Sequence, residues 1–222
     1  MIFFNKKKTE NKDTKDNVQG NIDLQIVNKL NQEFAVSLDL NETLNRALEI
    51  IISRLGAEAA NIFLINNKKF ECIASLNQHH LEEYVLDLKD GVMGRAIEQK
   101  KCVRVGNVRK DIREIAEFYF DLDNKTNFTT YSVLCSPLIV ANECIGVIHC
   151  LNKETEDKMF LEDDRKLLEL LSTPAALAIR NAKMAKEMIE QNKTQKEIEI
   201  VGEIQKSLLS KNKEGSFPLA GI

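Results

Sequence analysis

The fold is decided by residues 126–153, which read TNFTTYSVLCSPLIVANECIGVIHCLNK. Two apolar runs, Val133–Val140 and Cys144–Leu151, flank the short connection Ala141-Asn142-Glu143. Two such runs joined by a turn predict a hairpin of two strands. Because apolar residues occupy both faces of each run, we expect the hairpin in the middle of a sheet that is covered on both sides.

Further elements are predicted on the N-terminal side of this hairpin. Residues 22–38 carry apolar residues at helical spacing, and a second helix, with Asn41 as its N-cap, ends near Gly56. The other predicted elements are strands at 59–65, 70–76 and 84–88, a helix at 92–100, a strand at 102–105, and a mostly loop segment at 106–130 with one or two helical turns around 112–120. Together these elements indicate an α+β fold, with helices packed on a sheet.

Composition and charge exclude several classes of protein. The chain has 222 residues, of which 43% are hydrophobic and 29% are charged, so a mostly disordered protein is excluded. A net charge of -3 offers no basic surface for nucleic acid. Met1–Phe4 is too short for a membrane span or a secretory core. Five cysteines without a CxxC pair predict no disulfide framework and a cytoplasmic location.

A motif behind the hairpin predicts a specific contact. Asn152 and Lys153 end the second strand, and Phe160 and Asp164 follow after a short charged gap, where a long helix begins at Phe160. Lys153 and Asp164 are predicted to form an ion pair that fixes the start of this helix to the end of the strand. The motif is therefore interpreted as structural and not as a ligand contact.

These residues, together with others in a fixed order, resemble the GAF domain family. The matching pieces are Ser37–Leu40, Asp90–Ala96, Asn107, Asp111 and the block 126–153. The motif of Asn152, Lys153, Phe160 and Asp164 is similar to that of members that bind cyclic nucleotides, such as phosphodiesterase regulatory domains, although Arg165 stands where those members have Glu. The resemblance implies a central antiparallel sheet with helices on one side and a ligand pocket on the other.

The resemblance also implies which residues contact a ligand. Hydroxyl and carboxylate groups would line the pocket, backbone N–H groups at a helix start would bind phosphate, and two strands would form the walls. The candidates are Asp123, Thr126 and Thr130, then Val92 and Met93, then Asn61, Ser75 and Leu76. His149 stands where the family often has a Glu that reads the base. The expected ligand is a purine cyclic nucleotide, cAMP in preference to cGMP, with no metal or other cofactor.

Other interpretations remain open at this stage. His149 is equally compatible with a buried histidine of the core and with a ligand contact, and a haem site would use a histidine such as His79 or His80. Cys135, Cys144 and Cys150 fit small buried hydrophobes. A sulfoxide reductase would instead use reactive thiols such as Cys102 and Cys72. A domain whose pocket is collapsed, and which only holds an output domain, is the main alternative to a sensor.

The C-terminal third predicts a dimer and an output domain. From Phe160 the helical pattern continues to about Ile189, before a polar interruption at 190–197. A parallel homodimer seam, joined by the helix at 22–38, is predicted from Ala175, Ala178, Ala182, Ala185 and Ile189. Glu203–Leu209 and Phe217-Pro218 resemble the beginning of PPM-type serine phosphatase domains. The predicted organisation is a disordered tail at 1–21, a GAF sensory domain at 22–185, a coiled-coil linker at 186–210, and the start of an output domain at 211–222.

Overall fold

A computed structural model describes residues 28, 31–32, 39–77, 81, 85–111 and 113–214. Of these described residues, those up to Ala182 belong to one compact unit, and those from Lys183 belong to a second. The predicted disordered tail at 1–21 lies outside the described residues, as do Phe217-Pro218 and all of the helix at 22–38 except residues 28, 31 and 32, which are helical.

From Leu40 onward the elements follow the predicted order, with four α-helices and six strands among the described residues. They are α1 (Leu40–Leu55), β1 (Ala57–Asn66), β2 (Lys69–Leu76), β3 (Val85–Asp87), α2 (Gly91–Gln99), β4 (Val103–Val105), a 3₁₀ turn (Val108–Lys110), α3 (Arg113–Thr126), β5 (Val133–Val140), β6 (Glu143–Lys153) and α4 (Glu162–Glu214).

The predicted hairpin lies at the centre of the sheet, as expected. The six strands pair in the order β3-β2-β1-β6-β5-β4, and every pairing is antiparallel. The hairpin turn consists of Ala141 and Asn142, both with positive φ, so Glu143 belongs to β6 and not to the turn. A two-residue turn with two positive φ angles matches the twist of antiparallel strands. The antiparallel GAF-like sheet flanked by helices is confirmed.

Three predicted boundaries are wrong. Asp39, not Asn41, is the N-cap of α1, because its side chain accepts a hydrogen bond from the Glu42 backbone N–H at 2.9 Å. The segment 106–130 is mainly the helix α3 and not a loop. The long helix α4 begins at Glu162 and not at Phe160, although it continues, as expected, through the polar stretch 190–197. The charged and amide side chains of this stretch are good helix formers even without an apolar face.

Two apolar clusters cover the two faces of the sheet. The helical-face cluster packs α1 and α4 against one face, and its largest members include Leu48, Ile62 and Phe160. The site-face cluster packs α2 and α3 against the opposite face, with Phe63 and Tyr119 among its members. Burial on both faces explains the continuous apolar runs of β5 and β6.

The small residues predicted to form a dimer seam are partly used inside the domain. Ala175 and Ala182 are fully buried, and Ala175 packs in the helical-face cluster. Because these two side chains are buried within one chain, they are not available to contact a second chain, and the predicted seam is wrong at these two positions. Apolar side chains of α4 that remain exposed are Leu177, Met184, Met188, Ile189, Ile198, Ile200, Val201 and Ile204. In the described part of the chain, none of the helices has the length and apolar character to cross a membrane.

The predicted ion pair between Lys153 and Asp164 is confirmed. The Lys153 ammonium lies 2.6 Å from Asp164 Oδ1 and also donates to the carbonyl oxygen of Leu55, the last residue of α1. The other oxygen of Asp164 accepts from the Leu161 backbone N–H at 2.7 Å, just before α4. The pair therefore joins the end of β6 to the end of α1 and the start of α4.

Arg165 does not disturb this arrangement. Its guanidinium pairs with Glu162 at 2.7 Å and with Glu169 at 2.8 Å, both on its own helix. The departure from the family's Glu at this position is therefore compatible with the Lys153–Asp164 pair.

We expect Lys153→Ala to lower the free energy of unfolding by about 2–3 kcal/mol, since it leaves the mostly buried Asp164 carboxylate without its cation. Urea denaturation measures this change. Lys166→Ala is the control, because Lys166 pairs with Asp163 in a largely exposed position and should contribute less than about 1 kcal/mol. Equal effects of the two substitutions would contradict the structural role of Lys153.

Candidate functional site

A row of polar side chains crosses the otherwise apolar site face of the sheet. Ser75 on β2 is paired in register with Asn61 on β1, and Asn61 is paired with His149 on β6. The Ser75 hydroxyl donates to Asn61 Oδ1 at 2.7 Å, and both Asn61 and His149 are fully buried. Directly paired residues on adjacent strands are close neighbours. The structure therefore brings these three predicted site residues together.

Tyr119 of α3 packs over this row on the site face of the sheet. Its side chain is fully buried, and its hydroxyl lies 2.7 Å from His149 Nε2. Its ring stacks on the imidazole with ring centroids 5.8 Å apart. The Phe63 ring packs edge-on against His149, at 6.0 Å between centroids. His149 is thus enclosed by two aromatic rings and one hydroxyl group.

The amino end of α2 meets the same hydroxyl. Val92 and Met93, both fully buried, stand in the first turn of α2, where backbone N–H groups have no partner within the helix. A hydrogen bond from the Val92 backbone N–H lowers the pKa of Tyr119, although burial outweighs it and the pKa of Tyr119 is raised well above its ordinary value. The Tyr119 hydroxyl therefore contacts the His149 imidazole and is also acted on by the Val92 N–H.

A second aromatic ring closes over the start of α2. Gly91 has a positive φ of 56°, and a Cβ at this position would lie 2.7 Å from the Phe118 ring. Only glycine meets both requirements, the left-handed backbone and the close approach of the ring. Phe118 also packs edge-on against Tyr119, with centroids 5.1 Å apart. The two adjacent aromatic residues of α3 together cover the amino end of α2.

His149 is neutral and incompletely bonded in this environment. Burial lowers its pKa from 6.5 to about 3. Its Nδ1 atom is buried and has no hydrogen-bond partner. Leaving a buried polar atom unpaired costs about 1–3 kcal/mol. Of the two interpretations of His149, the structure shows a buried residue with one satisfied nitrogen and one that a further group could satisfy.

Asp123 and Thr130 bind each other. Asp123 Oδ1 accepts from the Thr130 hydroxyl at 2.6 Å, and Oδ2 accepts from the Thr130 backbone N–H at 2.8 Å. The Arg109 guanidinium forms a further ion pair with Oδ2. Burial raises the pKa of Asp123, and its hydrogen bonds with Thr130 and the Arg109 charge oppose that shift. These groups, here named the Asp123 cluster, fix the segment between α3 and β5.

Two other predicted pocket residues point away from the polar row or are used locally. The Leu76 side chain packs against the helical-face cluster, on the opposite side of the sheet from Ser75, because successive residues of a strand face opposite sides. Leu76 is therefore wrong as a wall of this site. The Thr126 hydroxyl donates to the Leu122 carbonyl oxygen at 2.9 Å, within its own helix.

Two residues that contact predicted site residues were not themselves among the predicted ones. Tyr119 lies in the segment that was interpreted mostly as a loop, but Ile115, Tyr119 and Leu122 have the spacing of one helical face, and all three are buried. Arg109 gave no signal in the sequence, because its partner Asp123 is fourteen positions away.

Cys102 and Cys135 are poorly suited to a reactive site. Cys102 and Cys135 are buried, and burial raises the pKa of both thiols, that of Cys102 to about 12. A thiol of this kind is protonated at neutral pH and is a poor nucleophile. The interpretation of Cys135 and Cys150 as small buried hydrophobes agrees with their complete burial.

Comparison with known proteins identifies the family. The family described as "GAF domain" matches residues 37–180. A probable 3′,5′-cyclic phosphodiesterase of Caenorhabditis elegans is 26% identical over 143 residues, which cover 59% of this chain and 19% of that protein. The dual 3′,5′-cyclic-AMP and -GMP phosphodiesterase 11A of Takifugu rubripes is 26% identical over 190 residues, which cover 79% and 21%. The chain thus spans about a fifth of the length of either relative.

Solved structures show the same fold at low identity. The GAF domain of a phosphoenolpyruvate-protein phosphotransferase from Coxiella burnetii superposes with a TM-score of 0.62 and 16% identity, covering 74% of this chain and 96% of that one. The GAF domain of the corresponding Acinetobacter protein gives a TM-score of 0.59 and 19% identity over the same shares.

The lowered pKa of His149 makes stability depend on pH. Between pH 6.5 and 3 the unfolded chain binds a proton at this residue that the folded chain does not, so the free energy of unfolding falls as the pH falls. The contribution of His149 at pH 5 is a loss of about 2 kcal/mol relative to pH 7. Urea denaturation across this range should show a shallower slope for His149→Gln than for the unsubstituted chain. Parallel slopes would contradict a buried neutral imidazole.

The Asp123 cluster should contribute to stability. We expect Asp123→Ala to lower the free energy of unfolding by about 2–3 kcal/mol, because three hydrogen-bond donors lose their acceptor. Asp121→Ala is the matched control on the exposed side of the same helix and should stay within about 0.5 kcal/mol of the unsubstituted chain. Unchanged stability in Asp123→Ala, with weaker binding of a nucleotide, would identify Asp123 as a ligand contact instead.

Proposed function

The chain belongs to the GAF domain family, and we propose that it is a regulatory sensor that binds a purine cyclic nucleotide on the site face of its sheet. One observation carries the proposal: Ser75, Asn61 and His149 are paired in register on an otherwise apolar face, opposite the amino end of α2, with Asn61 and His149 fully buried and Ser75 half-buried. Buried polar groups are costly unless they are bonded, so a polar row of this kind indicates a site for a polar ligand.

The chemistry of these groups fits a cyclic nucleotide. Backbone N–H groups at the start of α2, together with its dipole, favour an anionic phosphate. The Asn61 amide and the Ser75 hydroxyl can both donate and accept hydrogen bonds, as recognition of a ribose or a base edge requires. A neutral His149 offers one donor and one acceptor. The two relatives named above as cyclic phosphodiesterases support the same ligand class.

The finer parts of the proposal rest on the sequence. We propose cAMP over cGMP as the preferred ligand, a homodimer, and a helical relay to an output domain, for which a PPM-type phosphatase is the first candidate. The exposed apolar residues of the second unit, which include Met188, Ile198 and Val201, support a dimer contact along this helix. A cytoplasmic location is part of the same proposal.

A second candidate function is favoured by one observation. Tyr119, Phe63 and Leu122, all buried, occupy the site face of the sheet. A GAF domain whose pocket is filled in this way could act as a scaffold that binds no ligand and holds a dimer together. This candidate belongs to a different class of function, and a binding measurement separates the two.

Isothermal titration calorimetry with cAMP and with cGMP tests the proposal. We expect saturable binding with a Kd in the micromolar range or tighter, and a loss of at least about tenfold in Asn61→Ala, since one good hydrogen bond corresponds to roughly this factor. Asn66→Ala is the control, at the exposed end of the same strand. Absence of binding with either nucleotide, on folded protein, would favour the scaffold.

A further inference from the structure

Within the proposed function, we propose that Tyr119 competes with the ligand for the amino end of α2, so that the domain carries its own inhibitor of binding. This inference rests on the proposed sensor function for the identity of the ligand. Its structural part, the closure of α3 over α2 by the Tyr119 hydroxyl, does not depend on which ligand binds. Below, the contact of Tyr119 with Val92 and His149 is called the Tyr119 closure.

The first argument is the position of the hydroxyl. It lies 2.7 Å from His149 Nε2, and the Val92 backbone N–H acts on it as a donor. The Val92 N–H is one of the helix-terminal donors that a phosphate oxygen would use. One N–H cannot donate at full strength to the hydroxyl and to a ligand oxygen at the same time. Binding at this point therefore requires Tyr119 to leave.

The second argument is the donor and acceptor balance. A hydroxyl can accept one hydrogen bond and donate its single proton in another, so the Tyr119 hydroxyl can accept from Val92 and donate to His149 Nε2. In that arrangement the imidazole carries its proton on Nδ1, and Nδ1 is the buried atom without a partner. The Tyr119 closure therefore satisfies Val92 and one nitrogen of His149 but leaves the other nitrogen unsatisfied. A ligand that bonds both nitrogens would have an advantage over the tyrosine.

The third argument concerns the contacts that hold the closing element, α3, to its neighbours. Phe118 packs against Gly91, where no other residue would leave room for its ring. The carboxyl end of α3 is fixed by the Asp123 cluster, so displacement of Tyr119 does not require the helix to detach there. Movement of α3 would then be a rotation of its middle away from α2. Because only the open molecules can bind, the apparent affinity for the ligand would be reduced by the fraction of molecules that are closed.

Tyr119→Phe isolates the hydroxyl, because the ring remains and only the two hydrogen bonds are lost. Tyr131→Phe is the matched control, since Tyr131 is partly exposed and its ring lies over Lys158. Hydrogen exchange of the backbone amides in 91–95 and 113–126, without nucleotide, measures the closure. We expect exchange in Tyr119→Phe to be about tenfold faster, and exchange in Tyr131→Phe to be unchanged. Equal exchange in both variants would overturn the Tyr119 closure.

Calorimetry on the same two variants measures the competition. Tyr119→Phe should bind cAMP or cGMP about tenfold more tightly than the unsubstituted chain, since the closed population falls. Weaker binding by Tyr119→Phe would make Tyr119 a ligand contact and would overturn the inference. Unchanged affinity would reduce Tyr119 to a structural residue, which also overturns it.

Failure of the proposed function has a different signature. If Tyr119→Phe shows faster exchange but neither it nor the unsubstituted chain binds either nucleotide, the sensor for cyclic nucleotides fails. The closure itself would then be supported by exchange, and the competition would be overturned for these two ligands.

Discussion

The structure depends on the end of β6, where one backbone turn connects five parts of the domain. Asn152 adopts a positive φ, and its side-chain oxygen accepts from the backbone N–H groups of Tyr131 and Ser132. Its amide group donates to the Thr129 carbonyl oxygen and to Glu58 on β1. The next residue, Lys153, joins α1 and α4. Asparagine tolerates the left-handed backbone better than most residues. Here both the oxygen and the nitrogen of its side-chain amide form hydrogen bonds with neighbouring segments. A single hydrophobic contact has no preferred direction and could not fix the relative orientation of these segments in this way.

The site face follows from the same strand. Residues of β6 alternate between the two faces, so the strand that ends in Asn152 and Lys153 also places His149 among the apolar residues of the site face. A buried imidazole in such a position must find partners, and the chain supplies Tyr119 for one nitrogen only. The register of β6 therefore has two consequences. It places Asn152 and Lys153 where they hold neighbouring elements together, and it buries His149 with one nitrogen unsatisfied. The Lys153–Asp164 pair holds the ends of β6 and α1 at the start of α4, whereas His149 is the reason that this face is a candidate site.

The parts that could be predicted from sequence are those whose partners are close in the chain or follow a strict period. The hairpin and the Lys153–Asp164 pair are of this kind, since only eleven positions separate the two charges. The failures have separate causes. Asn41 and Asp39 are both good caps, and only the backbone shows which side chain reaches a free N–H. Leu76 follows Ser75 directly, so both could not face the site. The partnership of Asp123 with Arg109 depends on how the chain turns between them, which no periodicity shows.

The side chain that fills the site distinguishes two cases: a closed site that can still bind a ligand, and a site that has lost the ability to bind one. A pocket that no longer binds anything would be most stable if apolar side chains filled it, since they leave no polar atom unpaired. Tyr119 is instead a polar side chain bonded to a histidine and to a helix-terminal N–H, the groups that an anionic ligand would use. The polar row of Ser75 and Asn61 persists beside it. Under the proposed function, such an arrangement would keep the recognition groups in place and make their occupation reversible, which a sensor requires and a scaffold does not.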